Sequence, residues 1–246
     1  MTKISKVMIV ACGVLEPEVR HYTRDASHVV DMEFLPIGLH ENPPLLQQEL
    51  QRVIDRAEAN PAVETIVLVY GLCGRGVENL RHTRCPLVIA RAHDCVTLFL
   101  GDKDRYADHQ KKHPGNYWYN PGWIRDKASP GPEREAHLRK QYEEKFEEED
   151  VAFLLESDRE ALAHYDRATY VGLDVGDTAA DEDYTKTCAA CQGWGFERIP
   201  GDPALLMALL HGPWDEERFL IVPPHHVIRM TADDSIIRAE RESEDS

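Results

Sequence analysis

Three stretches of the chain are nearly unbroken runs of apolar residues, and each gives way within a few residues to a cysteine. "KVMIVACG" ends in Cys12 and Gly13, "TIVLVYGLCGRG" in Gly71, Cys73, Gly74 and Gly76, and "PLVIARAHDC" in Cys95. Runs of this kind, without polar alternation, are expected of strands covered on both faces. Between them the period lengthens. "LEPEVRHYTRD" suits a short helix with Glu16, Pro17 and Glu18 in its first turn, and "DMEFLPIG" reads as a further strand. "NPPLLQQELQRVIDRAEAN" is the clearest helix. Asn42 stands at its cap, Pro43 and Pro44 at its opening, and Leu46, Leu50, Val53, Ile54 and Ala57 mark one apolar face. This β-α-β-α-β order predicts a parallel sheet with right-handed crossovers.

Beyond Ala92 the pattern predicts a helix over "HDCVTLFLGDKDRYADHQ", capped by Asp94. The aromatic, Pro- and Gly-containing "HPGNYWYNPGW" reads as an ordered loop or lid. Residues 132–165 read as charged, amphipathic helix. A second α/β stretch follows, with strands at "RATYVGL" and "FERIPG", helices at "TAADEDYTKTCAACQGWG" and "PALLMALLHG", and "RFLIVPP" closing the sheet. The expected fold is therefore α/β and Rossmann-like: a mostly parallel sheet flanked by helices, with an inserted helical and aromatic-loop segment. A single domain over 1–246 is expected. If it is two-lobed, the lobes are 1–126 and 168–235, with the helical insertion at 127–167 and a frayed acidic tail at 236–246.

Composition narrows the function classes. Forty-two per cent of the 246 residues are hydrophobic and 29% charged, enough for an ordinary core, and no apolar run approaches the length of a membrane span. The N-terminal apolar stretch is followed at once by charged residues, so it reads as a strand and not a signal peptide, and a cytoplasmic location is expected. The net charge of −16 disfavours nonspecific binding to nucleic acid or anionic lipid. Six cysteines in a reducing compartment do not imply a disulfide framework.

Ligands of open parallel sheets collect beyond the carboxyl ends of the strands, where Cys12, Cys73 and Cys95 are expected to meet. Three thiolates can hold zinc with its fourth position open, and His93 could replace one of them or support them. The same set could ligate one face of an iron–sulfur cluster. The alternative is that each cysteine is a small residue filling space. Cys188 and Cys191 form a CxxC, readable as a redox pair, as metal ligands or as helix packing. "GLCGRG" lacks a complete phosphate-loop motif, although Arg75 could meet an anionic group. Tyr117, Tyr119 and Trp123 could cover a ligand or plug a connection. Asp174 and Asp177 could act as bases or cap the following helix. His225 and His226 are weaker metal candidates.

The segments "ACGVLEPEV", "VYGLCGRGVENL", "RAHDCVTLFLGDKDRY", "GNYWYNPGW" and "LLHGPWDEERFLIVPP" together resemble an uncharacterised family catalogued as domain of unknown function 1638. Cys12, Cys73, His93, Asp94, Cys95 and Trp123 match its pattern, whereas "TCAACQG" has no place in it. The resemblance implies an association with corrinoid proteins and methyltransferases, and no established reaction. Three functions follow as expectations. The first is a zinc-dependent methyltransferase for a small thiol, fed by a corrinoid protein or folate-type one-carbon donor, with Arg75, Tyr117 and Trp123 holding substrate and Asp174 in the catalytic role. The second is an iron–sulfur redox protein. The third is a metal-binding accessory protein of a methyltransferase system.

Overall fold

A computed structural model describes residues 5–125 and 129–242. In chain order it contains β1 (Val7–Cys12), α1 (Glu16–Thr23), β2 (Val29–Leu35), α2 (Pro43–Ala59), β3 (Thr65–Val69), β4 (Leu87–Ala90), α3 (Val96–Leu100) and α4 (Lys103–Lys112). There follow β5 (Asn116–Tyr119), α5 (Pro121–Arg125), α6 (Arg134–Glu143), α7 (Glu148–Leu162), β6 (Arg167–Gly172), α8 (Thr178–Gln192) and β7 (Gly195–Pro200). The chain ends with α9 (Ala204–His211), β8 (Phe219–Val222), β9 (His226–Met230) and β10 (Ile237–Arg241). No helix among the described residues is long and apolar enough to cross a membrane.

The chain divides into two compact units. The first comprises Met1–Tyr106 with Asp202–Ser246, and the second Ala107–Gly201. In the first, five strands pair in the order β2-β1-β3-β4-β8, the first four parallel and β8 antiparallel to β4. Every residue of β1, β3 and β4 is buried, as their continuous apolar sequences require. On α2 the buried residues are Leu46, Leu50, Val53, Ile54 and Ala57, and the Asn42 side chain accepts a hydrogen bond from the Leu45 amide. The mostly parallel sheet flanked by helices is thus present.

The second unit has its own three-stranded parallel sheet, β5-β6-β7, with Asn116 opposite Arg167 and Tyr119 opposite Tyr170. Its aromatic core gathers Tyr119, Tyr170, Ala168, Cys188 and Ala189. A separate small cluster of Leu138, Val151 and Leu155 packs α6 against α7.

Four expectations are corrected. "NYWY" is a strand and not loop, because aromatic residues suit a pleated surface and β6 offers a parallel partner. The expected lobe boundaries give way to the division at Ala107 and Gly201; the residues around 126–127 lie outside those described. Because β5 pairs with β6, the aromatic stretch belongs with the later residues, while α9 and β8 return to the first unit. The stretch after Asp94 is two helices, interrupted at Gly101, where φ is +77° and an added Cβ would lie 2.7 Å from Asp202. Finally, residues 237–241 are not a frayed tail: Ile237 opposite Met230 and Arg241 opposite His226 form an antiparallel pair. Ile237 is fully buried there, while Asp233 closes the turn by accepting from the Ser235 amide.

The buried His82 ties the β3–β4 connection together, its Nδ1 donating to the Cys85 carbonyl at 2.7 Å. Burial, the largest effect, lowers its pKa from the ordinary 6.5. The fold therefore favours the neutral ring, so this contribution to stability is complete above the unfolded value and is lost as pH falls through the folded one. Denaturation midpoints of the wild type should fall between about pH 7.5 and about pH 5, and those of His82→Gln should fall less. Equal losses in both proteins would remove His82 from the account.

Candidate functional site

Cys12 is the last residue of β1, Cys73 opens the 3₁₀ turn Cys73–Arg75 beyond β3, and Cys95 precedes α3 beyond β4. These three strands are neighbours in the sheet, so residues distant in sequence reach one edge. Backbone hydrogen bonds then bring the second and third loops together. The Leu72 amide donates to the Ala92 carbonyl at 2.8 Å, and the Cys73 amide to the His93 carbonyl at 3.0 Å. Gly71 makes this approach possible, since a Cβ there would lie 2.6 Å from the Asp94 backbone.

The outcome is a contact of 3.6 Å between the sulfurs of Cys73 and Cys95. Cys95 also engages Cys12. Hydrogen bonds with the Cys12 and Cys73 thiols, followed by burial, hold its pKa well above the usual thiol range. All six cysteines are free, and Cys12 and Cys73 are buried. The turn that carries Cys73 is strained: φ is +45° at Cys73 and +75° at Arg75, on either side of Gly74 at +63°. Left-handed conformations at two non-glycine residues cost free energy and persist only where the surroundings impose them.

Arg75 is part of that imposition. Its Nε donates to Glu78 at 2.5 Å, and the second Glu78 oxygen accepts from the Met230 amide at 2.7 Å. Arg75 is thus paired within the protein and works as a strut between the turn and β9. Its side chain keeps 62% exposure, whereas Glu78 keeps 5%.

Two tyrosines join the site that the sequence patterns did not single out. Tyr70, the residue before Gly71, is 2% exposed, and its hydroxyl has no hydrogen-bond partner among the described residues. Burial raises its pKa well above the ordinary value, and the charges of Cys12, Cys95 and Cys73 would raise it further, which sets the hydroxyl beside the thiols. Tyr106 hydrogen-bonds to Asp94. Burial chiefly raises the Asp94 pKa, opposed by Tyr106 and by the amides of Thr97 and Val96, the latter at 2.9 Å. Asp94, one residue before the N-cap Cys95, therefore holds the first turn of α3 by accepting from the Val96 and Thr97 amides, with a tyrosine attached. The only sequence signal for Tyr70 was its place inside the "VYGLCG" run; nothing local marked Tyr106.

The remaining candidates have contacts of their own or belong to the second unit. His93 is exposed, and it is its carbonyl that bonds to the Cys73 loop. Tyr117, Trp123 and Asp174 belong to the second unit. The Trp123 indole donates to the Tyr117 hydroxyl at 3.1 Å, and Tyr117 stacks on Trp194 with ring centroids 5.8 Å apart. These rings pack on one another within their own unit. Asp174 is exposed with φ of +55°, and Asp177 caps α8 through the Ala180 amide. Cys188 is core, while Cys191 is exposed. His226 Nδ1 faces the Pro224 carbonyl at 3.0 Å.

Residues 34–210 match the model of a family described as "Protein of unknown function (DUF1638)". No curated protein and no solved structure matches the chain.

If the Gly71–Asp94 approach holds the thiols together, Gly71→Ala must push the two loops apart. Overpacking of this kind should destabilise the protein by about 1–3 kcal/mol in urea denaturation. It should also abolish oxidative cross-linking of Cys73 to Cys95 in the folded protein. Wild-type stability and cross-linking in this variant would refute the proposed role of the glycine.

Proposed function

We propose, from the premise that the chain belongs to the DUF1638 family, that Cys12, Cys73 and Cys95 bind one zinc ion and that the site serves alkylation of a substrate thiol. The observation that carries the metal half of this reading is the contact of Cys95 with both other cysteines. Ligands about 2.3 Å from a tetrahedral ion are about 3.8 Å apart, close to the 3.6 Å between Cys73 and Cys95. An ion would also give a physical reason for Cys95 to contact two other thiols near the buried Tyr70 hydroxyl, which has no partner among the described residues. Free thiols suit a reducing, cytoplasmic compartment.

Zinc held by three protein sulfurs supplies Lewis acidity at an open fourth position, where a substrate thiol stays deprotonated at neutral pH. The protein's own groups do the rest. Cys95 contacts both Cys12 and Cys73 and would be the middle ligand of the three. The Tyr70 hydroxyl would donate to a ligand sulfur, and the Tyr106–Asp94 pair would hold the start of α3. In the reaction class proposed, the substrate sulfur forms a bond to a methyl carbon as the bond between that carbon and its donor breaks. The electron pair of the broken bond leaves with the donor, a methylated corrinoid carried by a partner protein or a folate-type carrier. The methyl half of the reading rests on the family resemblance.

Elemental analysis and an absorption spectrum of anaerobically purified protein test the site. Cys73→Ser should lose one equivalent of zinc and keep its circular dichroism spectrum. Tyr70→Phe should keep the zinc and lower the rate of thiol methylation. Iron with labile sulfide in the wild type would replace zinc by a cluster, and full metal retention in Cys73→Ser would sink the three-cysteine site.

A further inference from the structure

A different set of donors converges in the second unit. His109 lies on α4 and His113 follows directly after its last residue, Lys112, with ring centroids 5.0 Å apart. Glu197 comes from β7, 84 residues beyond His113 (197 − 113). One ligand atom from each of the three falls within 4.8 Å of the other two. We propose that His109, His113 and Glu197 form a metal site of their own, for a divalent first-row transition ion such as zinc or iron(II).

Three observations support a ligand over a simple hydrogen-bonded cluster. First, the His109 side chain is 10% exposed, and its Nδ1 is buried with no partner among the described residues. No partner at Nδ1 fixes the tautomer, so Nε2, the nitrogen that faces Glu197, is the one that could present its lone pair to an ion. Second, His109 Nε2 and Glu197 Oε2 are 3.3 Å apart, long for a hydrogen bond to a carboxylate. Donors about 2.0–2.1 Å from a tetrahedral ion are separated by about 3.3–3.4 Å. Third, the Trp118 ring lies 4.6 Å from the His109 ring and walls one side of the group.

The donor set selects the ion. Two imidazoles and one carboxylate suit zinc or iron, not the all-oxygen preference of magnesium and calcium or the thiolate preference of copper(I). Three protein donors leave a coordination position for water or an exogenous ligand. Arg167 Nη1 also reaches Glu197 Oε2, at 3.2 Å, so a bound ion shares or displaces that contact.

The test is calorimetric titration of the metal-free full chain with zinc, comparing the wild type with His113→Ala and Glu197→Gln. Cobalt(II) absorption is followed in parallel, because sulfur-to-cobalt charge transfer reports the cysteines and stays silent for this site. Each variant should lose one equivalent of zinc, or bind it at least about tenfold more weakly, with the sulfur-to-cobalt band unchanged. Glu197→Gln preserves shape, and circular dichroism checks the fold of both variants. Wild-type stoichiometry and affinity in both folded variants would overturn the proposal, whatever happens at the cysteines.

Discussion

The contact between the loops after β3 and β4 sets where Cys73 and Cys95 lie in the first unit. Gly71 has no side chain, so its Cα can lie against the Asp94 backbone, and the Leu72 and Cys73 amides can pair with the Ala92 and His93 carbonyls. With a methyl group at 71 the two loops could not close, and the sulfurs of Cys73 and Cys95 would not reach 3.6 Å. The turn beyond the glycine accepts left-handed backbone at Cys73 and Arg75 as a consequence. That strain is held by the Arg75–Glu78–Met230 connection, which anchors the turn to β9. A residue that sequence reasoning offered to a substrate is thus used to keep a thiol in place.

The electrostatics of the cluster point the same way. In isolation Cys95 resists ionisation: hydrogen bonding with Cys12 and Cys73 and burial both hold it in its neutral form. Burial does the same to the Tyr70 hydroxyl beside them. A polar group buried without a partner costs free energy that packing alone does not return. Apolar residues of the same size would fill the space without that cost. A cation would reverse the balance, since it favours thiolate over thiol and gives the hydroxyl a charged sulfur to meet.

How much of this could be read from sequence depended on whether its signal was local. The strand ends carrying Cys12, Cys73 and Cys95 follow from continuous apolar runs and glycine punctuation, and the buried face of α2 from helical spacing. Tyr70 and Tyr106 were invisible because their roles depend on neighbours brought by the tertiary fold. The aromatic stretch at 116–119 misled for a related reason: its flanking glycine and prolines signal loop, and only β6 makes it a strand. The β9–β10 hairpin hid behind its acidic residues, although the apolar Ile237 pins it to the core. His109 and His113 carried no recognised motif, because their third partner, Glu197, is brought to them from β7 by the fold.

The two donor sets differ in kind, and that difference has consequences for which ion each would hold. Thiolates are soft and favour zinc, copper(I) or iron–sulfur chemistry, whereas imidazole with carboxylate favours borderline divalent ions. Affinity order alone would let one abundant metal occupy both, so discrimination must come from donor type and local charge. Around the cysteines, ionisation of three thiols would leave one net negative charge after a divalent ion binds. Around His109 the single carboxylate already faces Arg167, so an ion there retains positive charge. The first environment favours tight retention and a nucleophilic ligand; the second favours an ion that attracts an anionic ligand to its open position. Chemistry at the second set would therefore be electrophilic, distinct from the activation of a thiol at the first.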